Sequence, residues 1–570
     1  MSYEVVPLDN FPQVFAATTE LSSCALGGRV ISVSDEFFAE AFHLLLVEPA
    51  PSLKGQFGPN GALYSGWESR RHNFDYDWCI IKLGTSGTIV GFDIDTTHFN
   101  GNEAPQVSVD AFYDPITQED PDKDDARWTE ILPKVNLGPS SRHFFTIPSG
   151  PRATFVKLNM YPDGGVARFR VYGDVAPIVP EDPMKNFDLA HVYAGGRVEF
   201  TSDQHFGVGA NLILPGRGKD MGDGWETKRS RLPGHKDWAI IKLAVPGYLE
   251  QVEIDTAHFK GNFPESCELH GIYLEKEVNW SVGRGEDQDW KLLLPRTKLG
   301  PHRQHFFQLE NVEDTLYTHV KVTIHPDGGI KRVRVTGRRS EEKTAKDVTT
   351  VEEGSVKASD IPNVHAALSK ERLEKARILP VLPLTPEAFA PFGQVIQAYG
   401  DHAAAPKGLK ITPANGGTAD KFHKLTLLEQ SYPADSGATT GLSVYRCQPL
   451  SDVASDGTAE LKELERHAFT NQAFIPMGKG SAEGLKDTAE KYLVVVTKNG
   501  EDDKPDLKSL RAFVATTAQG IVYSAGIWHQ PMTVLEKPLD LTCVETQIGN
   551  GSKADCEIVK VEEAIRLRIW

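Results

Sequence analysis

Two stretches of this chain repeat one another in the same order. Gly66-Trp67-Glu68, Asp77-Trp78-Cys79-Ile80-Ile81-Lys82-Leu83, Asp95-Thr96-Thr97-His98-Phe99-Asn100-Gly101-Asn102, Leu137-Gly138-Pro139, His143-Phe144-Phe145 and Pro162-Asp163-Gly164-Gly165 make up the first copy. They return as Gly224-Trp225-Glu226, Asp237-Trp238-Ala239-Ile240-Ile241-Lys242-Leu243, Asp255-Thr256-Ala257-His258-Phe259-Lys260-Gly261-Asn262, Leu299-Gly300-Pro301, His305-Phe306-Phe307 and Pro326-Asp327-Gly328-Gly329. The copies run roughly from Gly27 to Gly173 and from Gly195 to Gly337, which is too long for a solenoid unit and right for an independent domain. The chain must therefore build tandem domains around separate cores. The duplication also works as a filter. Cys79 gives way to Ala239 and reads as small core filler, whereas carboxylates, arginines and histidines held in both copies need another explanation.

Within each copy apolar residues alternate, as in Val107-Ser108-Val109-Asp110-Ala111-Phe112 and Thr318-His319-Val320-Lys321-Val322-Thr323-Ile324, with Gly/Pro/Asp turns between the runs. This predicts two tandem jelly-roll, galactose-binding-like β-sandwiches over residues 1–176 and 177–338. The first copy carries about ten more residues between Val30 and Gly66, as a surface loop on a cleft rim would. Residues 339–377 turn polar and read as a solvated linker, helical near Ala366 to Ala376. Residues 378–570 form a third domain. In it Thr385 is placed to cap a helix ahead of Pro386, and the strands Ala473 to Met477, Tyr492 to Thr497, Leu510 to Ala515 and Leu541 to Glu545 predict a cupin-like β-barrel. The fold class is mainly β throughout.

A formal net charge of -17 without a basic cluster argues against nucleic-acid and anionic-membrane partners. No apolar run approaches membrane-spanning length and Met1-Ser2-Tyr3-Glu4-Val5 is not a secretory signal, so the expected location is cytoplasmic. Six scattered cysteines with no C-x-x-C pair argue against a disulfide framework and a thiolate zinc site.

Among the residues both copies keep, Glu68 with Arg71 and Glu226 with Arg229 set a carboxylate beside a guanidinium, a pair able to bind an anion and move a proton but also readable as an exposed ion pair. His98 and His258 stand where a strand ends in a glycine turn, a place favoured by sites and equally by a histidine bonded to its own turn. His143 and His305 precede aromatic pairs and ionise near neutrality. Arg168 and Arg170, matched by Arg332 and Arg334, alternate with apolar residues, so they share the face opposite the core and read as a solvated sheet face. In the third domain His467, Gln472, His529 and Arg446 are the informative polar positions. The close H-x-H plus Glu of a metal-binding cupin is absent; no cofactor is established, and a divalent metal stays open.

The duplicated runs closely resemble the allantoicase family over residues 10 to 340. Residues 378 to 570 resemble the ureidoglycolate lyase family on Asn415-Gly416-Gly417, Glu463-Leu464-Glu465-Arg466-His467, Gln472-Ala473-Phe474-Ile475-Pro476-Met477, Leu510-Arg511-Ala512-Phe513 and Trp528-His529. They depart from it at Lys421, at Ser524-Ala525 and at Gln530, where bacterial members carry Arg, His-Arg and His. The resemblance implies a bifunctional enzyme of allantoin breakdown that hydrolyses allantoate to ureidoglycolate and urea, then cleaves ureidoglycolate to glyoxylate and urea. It implies small-molecule substrates and leaves a homo-oligomer open. On it, Arg71, Arg229, Arg446, His143 and His305 bind substrate, Glu68, His98, Glu226, His258, His467 and His529 carry protons, and Gln472 orients the ureido group. The rival expectations are tandem carbohydrate-binding jelly rolls with a cupin-like sensor, or catalysis by only one of the two parts.

Overall fold

The computed structural model describes residues 2–15, 18–114, 119–276, 278–280, 282–341, 349–351, 376–480 and 483–569. Each repeat is organised by one 19-residue strand, Asp77–Asp95 in the first and Asp237–Asp255 in the second. The first half of Asp77–Asp95 pairs with Arg29–Val33 and Arg152–Tyr161, and its second half pairs with Arg142–Thr146 and Arg168–Val175. One strand thus serves both layers of a curled jelly-roll sandwich. Alternation puts Cys79, Ile81 and Leu83, and further on Phe92 and Ile94, into the core. Gly87 stands where the strand changes partners, and a Cβ there would come within 2.5 Å of the Asp174 carbonyl. The second repeat copies the plan, with Asp237–Asp255 pairing to Arg197–Thr201, Gln304–Gln308, Leu316–His325 and Arg332–Arg339.

The C-terminal domain packs two mostly antiparallel sheets in a cupin-like arrangement. The smaller runs through Gly393–Ile396, Gly520–Tyr523, Gln472–Pro476, Leu539–Gln547 and Thr439–Cys447; the larger includes Arg377–Pro383, Arg511–Thr516, Lys491–Thr497, Trp528–His529 and Glu463–Arg466. The expected strands are present, with ends no more than two residues from those expected. Thr385 caps the helix Pro386–Phe389 by accepting from the Ala388 N–H.

Edge protection differs between the repeats. Strand Arg142–Thr146 gains a neighbour in Glu4–Val6, and Phe144 packs on Phe11 and Phe15. The matching strand Gln304–Gln308 pairs only with Asp237–Asp255 among the described residues; there Phe307 and Leu309 belong to one apolar cluster with Leu382, Leu384 and Phe389 of the C-terminal domain.

Two expectations are corrected. Arg168, Arg170, Arg332 and Arg334 are buried, not solvated. The loops preceding Trp67 and Trp225 fold over that face, and the guanidiniums bind main-chain carbonyls, Arg168 to Glu48 and Ser65, Arg332 to Asp223. Within the stretch read as a solvated linker, Thr349–Val351 is a strand running parallel to Ile178–Pro180. Most of the expected helix near Ala366 to Ala376 lies outside the described residues.

On the outer face of the second repeat, Glu199 accepts from Trp280 Nε1 at 2.8 Å, His319 Nε2 at 3.2 Å and Arg197 Nε at 3.1 Å. Burial alone would raise its pKa, but the hydrogen bonds from His319 and Trp280, with the charges of His319 and Arg197, hold it at about 2. A carboxyl depressed in the fold contributes stability that is fully present above its ordinary pKa of 4.5 and is lost as the pH falls toward about 2. Glu199→Gln is therefore expected to destabilise the protein at pH 7 and to flatten the loss of stability below pH 4.5, as measured by denaturant unfolding across that range.

Candidate functional site

Three of the duplicated motifs converge in each repeat. In the first, Trp67–Glu68 pairs with Gly165–Val166, which sets Glu68 beside the Pro162-Asp163-Gly164-Gly165 turn. Trp67 is fully buried and donates to the Asp35 carbonyl at 2.7 Å. The turn after Asp95 brings Asn102 round, so its Nδ2 donates to Glu68 Oε1 at 3.0 Å. Arg71 lies 3.5 Å from the same oxygen and is anchored by Asp163 at 3.2 Å and the Asn102 carbonyl at 3.0 Å. Burial raises the Glu68 pKa, and the Asn102 hydrogen bond and the Arg71 charge offset this only in part. A carboxyl kept toward its protonated form beside a cation is equipped to give up a proton.

The second repeat shares the frame with altered contacts. Asn262 donates to Glu226 at 2.6 Å and Arg229 holds Asp327 at 2.8 Å and the Gly261 carbonyl at 3.4 Å, as Arg71 holds Asp163 and the Asn102 carbonyl, but Arg229 forms no ion pair with Glu226.

His98 and His258 both sit in the left-handed region, at φ 71° and 68°. A glycine turn needs that conformation, which histidine adopts more readily than most side chains. The exposed His98 ring bonds the Ala50 carbonyl at 3.1 Å, and the His258 N–H donates to His302 Nδ1 at 2.7 Å. Both rings of the Phe-Phe histidines are committed to backbone. His143 Nδ1 donates to the Ile94 carbonyl at 3.1 Å and its Nε2 accepts from the Gly138 N–H at 2.8 Å; His305 does the same with Ile254 at 2.9 Å and Gly300 at 2.7 Å. Neither histidine is brought to the glutamate cluster by these contacts.

The C-terminal domain gathers a second cluster between its sheets. His467 Nδ1 donates to the Asp555 carbonyl at 2.7 Å and His529 Nδ1 to the Ile527 carbonyl at 3.1 Å, leaving both Nε2 atoms buried without a hydrogen-bond partner. His529 Nε2 stands 3.5 Å from Glu465, and the ring stacks on Tyr523 with centroids 3.9 Å apart. Gln472 Nε2 donates to Glu545 at 2.8 Å while its Oε1 is buried and unpartnered. Burial, followed by the nearby His529, pushes His467 toward its neutral form. Glu465, His467 and Cys556 offer ligand atoms within 4.8 Å of one another, a donor set suited to a borderline divalent cation.

Arg446 is not part of this cluster. It is cross-strand from Asp540, on the face opposite Cys543 and Glu545, and clasps that carboxylate at 2.8 and 2.9 Å. Sequence reasoning missed Glu465, Glu545, Tyr523 and Cys556. Glu465 was within reach, because a period-two reading puts it on one face with His467; Glu545, in strand Leu539–Gln547, and Cys556, just before strand Glu557–Lys560, are brought in only by long-range pairing.

Comparison with known proteins matches this architecture part by part. The allantoicase repeat model covers residues 19–176 and 187–340, and the ureidoglycolate lyase model covers residues 376–568. The chain is 49% identical to a probable allantoicase of Schizosaccharomyces pombe over 330 residues, 57% of this chain and 94% of that protein. It is 48% identical to an allantoicase of Saccharomyces cerevisiae over 322 residues, 55% of this chain and 91% of that one. A crystal structure of Saccharomyces cerevisiae allantoicase superposes with a TM-score of 0.52 at 42% identity, covering 59% of this chain and all of that one. The chain belongs to the allantoicase family and carries a ureidoglycolate lyase domain after its two repeats.

Proposed function

We propose that the Glu68 cluster and the His467–His529 pocket carry the two urea-releasing steps of this bifunctional enzyme of allantoin breakdown. The observation that supports the reading most strongly is the pairing of a buried carboxyl, its pKa raised by burial, with a fixed cation in the allantoicase half. Allantoate bears its carboxylate on the carbon that must lose urea, so a cation close to a proton donor matches the reacting centre. Arg71 holds the carboxylate. Glu68 protonates the departing urea nitrogen as the carbon–nitrogen bond breaks, and the carboxylate it becomes takes the proton of the water that adds to the same carbon, giving ureidoglycolate.

In the lyase domain a histidine Nε2 accepts the proton of the substrate hydroxyl; the carbon–oxygen double bond forms, the carbon–nitrogen bond breaks, and the proton passes to urea. The unpartnered Gln472 Oε1 is the acceptor a ureido N–H requires, since its amide nitrogen is already committed to Glu545. A divalent cation would be held by Glu465, His467 and Cys556 and would supply positive charge for the substrate oxygens, leaving proton transfer to His529. His143 and His305 are read as backbone braces and Arg446 as half of a surface ion pair. No helix among the described residues is long and apolar enough to cross a membrane.

Fed allantoate, the whole chain is expected to release two ureas and one glyoxylate; with His467→Ala and His529→Ala together it should stop at one urea with ureidoglycolate accumulating. Continued glyoxylate release from that double variant would sink the C-terminal assignment. Dialysis against a chelator should slow ureidoglycolate cleavage but not allantoate hydrolysis, and metal content should drop from one per chain toward zero in Cys556→Ser. Replacing His305 by Ala leaves a buried N–H and carbonyl unpaired, at about 1–3 kcal/mol each. It should lower the unfolding midpoint and leave KM for allantoate unchanged; a raised KM at unaltered stability would restore the substrate-binding role.

A further inference from the structure

The second repeat departs from the first where it touches the lyase domain. Arg303 stands where the first repeat has Ser141, Lys260 where it has Asn100 and Glu250 where it has Val90. Arg303 reaches the Ala404 carbonyl and Glu387 Oε1, the latter at 3.4 Å; Lys260 pairs with Asp401 at 2.7 Å and Glu250 with Arg568 at 2.7 Å. Val90 instead packs on the N-terminal segment beside Phe15 and Phe144.

The chemistry diverges as well. Arg71 and Arg229 each hold the aspartate of the Pro-Asp-Gly-Gly turn and a main-chain carbonyl, but Arg71, 33% exposed, also sits 3.5 Å from Glu68, whereas Arg229, 55% exposed, makes no ion pair with Glu226, whose carboxylate accepts from Asn262. The Asp255 carboxylate is clasped by Arg217 at 2.7 and 2.9 Å. Lys331 replaces Ala167 and buries its ammonium against Asp223 and the Asp220 carbonyl. In the first repeat the same neighbourhood is the apolar set Ala50, Phe99, Ala167 and Tyr64, to which the longer loop contributes.

We propose that allantoate is hydrolysed in the first repeat alone and that the second repeat is the platform on which the lyase domain is mounted. The proposal rests on the role assigned to Glu68 in allantoate hydrolysis. One copy keeps the cation beside a buried carboxyl; in the other, charges of both signs are paired off inside the repeat or spent on the neighbouring domain. The raised pKa of Glu68 fits its working role.

The test uses the full chain, with an unchanged circular dichroism spectrum and unchanged unfolding transitions confirming that each glutamine variant is folded. Glu68→Gln should lower urea release from allantoate by about 100-fold or more, as expected for loss of a general acid, and Glu226→Gln by no more than about twofold. About half the rate surviving in Glu68→Gln would mean two working sites, and an equal collapse in Glu226→Gln would mean a shared one; either overturns the proposal. If neither variant loses activity, the role assigned to Glu68 has itself failed. Restoring the first repeat's residues in Lys260→Asn with Arg303→Ser should lower the unfolding midpoint of the lyase domain while allantoate hydrolysis is kept. An unchanged midpoint would remove the platform half of the proposal.

Discussion

One strand that belongs to both layers is the constraint on which each repeat depends. Asp77–Asp95 is far longer than a usual strand because its first half closes one layer and its second half the other. Its last residue lies opposite both Arg142 and Arg168, so the chain leaving it is held on two sides. The Thr96 N–H bonds the Ser141 carbonyl at 2.9 Å, and the Ala167 N–H bonds the Asp95 carbonyl at 2.7 Å. The turn beyond the strand therefore has little freedom: it takes a left-handed His98 and a glycine, and it delivers Asn102 to Glu68. The site is the consequence of where that strand stops, which is why the motif at its end is kept in both copies.

Sheet edges explain how the three domains are assembled. An open antiparallel edge invites pairing with other chains and has to be covered. The first repeat covers its edge with its own N-terminal strand and a phenylalanine cluster, and the second uses the lyase domain, whose Phe389 and Leu384 join the core of that repeat. Fusion of two activities is thus also a solution to a packing problem. The largely buried polar contacts around the junction, Arg303 with Glu387 and Arg568 with Glu250, fix its orientation and add to its hold.

The two clusters store their polarity differently. In the first repeat the hydrogen bonds around Glu68 fix a carboxyl and a guanidinium in register. In the lyase pocket the buried Nε2 atoms of His467 and His529 and the Oε1 of Gln472 are left without donors. Buried polar atoms of that kind are costly, and a bound group with hydrogens to give relieves the cost. The stacked Tyr523 fixes the plane of the His529 ring, so its Nε2 has one direction.

Much of this was written in the residue order. The duplication, the period-two runs and the turn residues specify tandem jelly rolls and a cupin-like third domain, because local alternation decides which face of a strand is buried. Duplication also singled out Glu68, Arg71 and Asp163, which meet in the first repeat, while in the second only Arg229 and Asp327 do. It marked His143 and His305 just as strongly, since a histidine holding two backbone groups is retained as firmly as one in contact with substrate. The buried arginines Arg168 and Arg170 defeated the pattern, because alternation tells one face from the other but not what later folds over it. The pairing of Arg446 was hidden for a related reason: its neighbours come from the paired strand, and register placed it beside Asp540. Sequence by itself determined the domains, their layers and the motifs at strand ends, because these depend on local periodicity and turn chemistry. Only the tertiary structure decided that Arg71 faces Glu68 while Arg229 turns away, and that Glu465, Glu545 and Cys556 join His467, since those meetings depend on long-range pairing that no local pattern encodes.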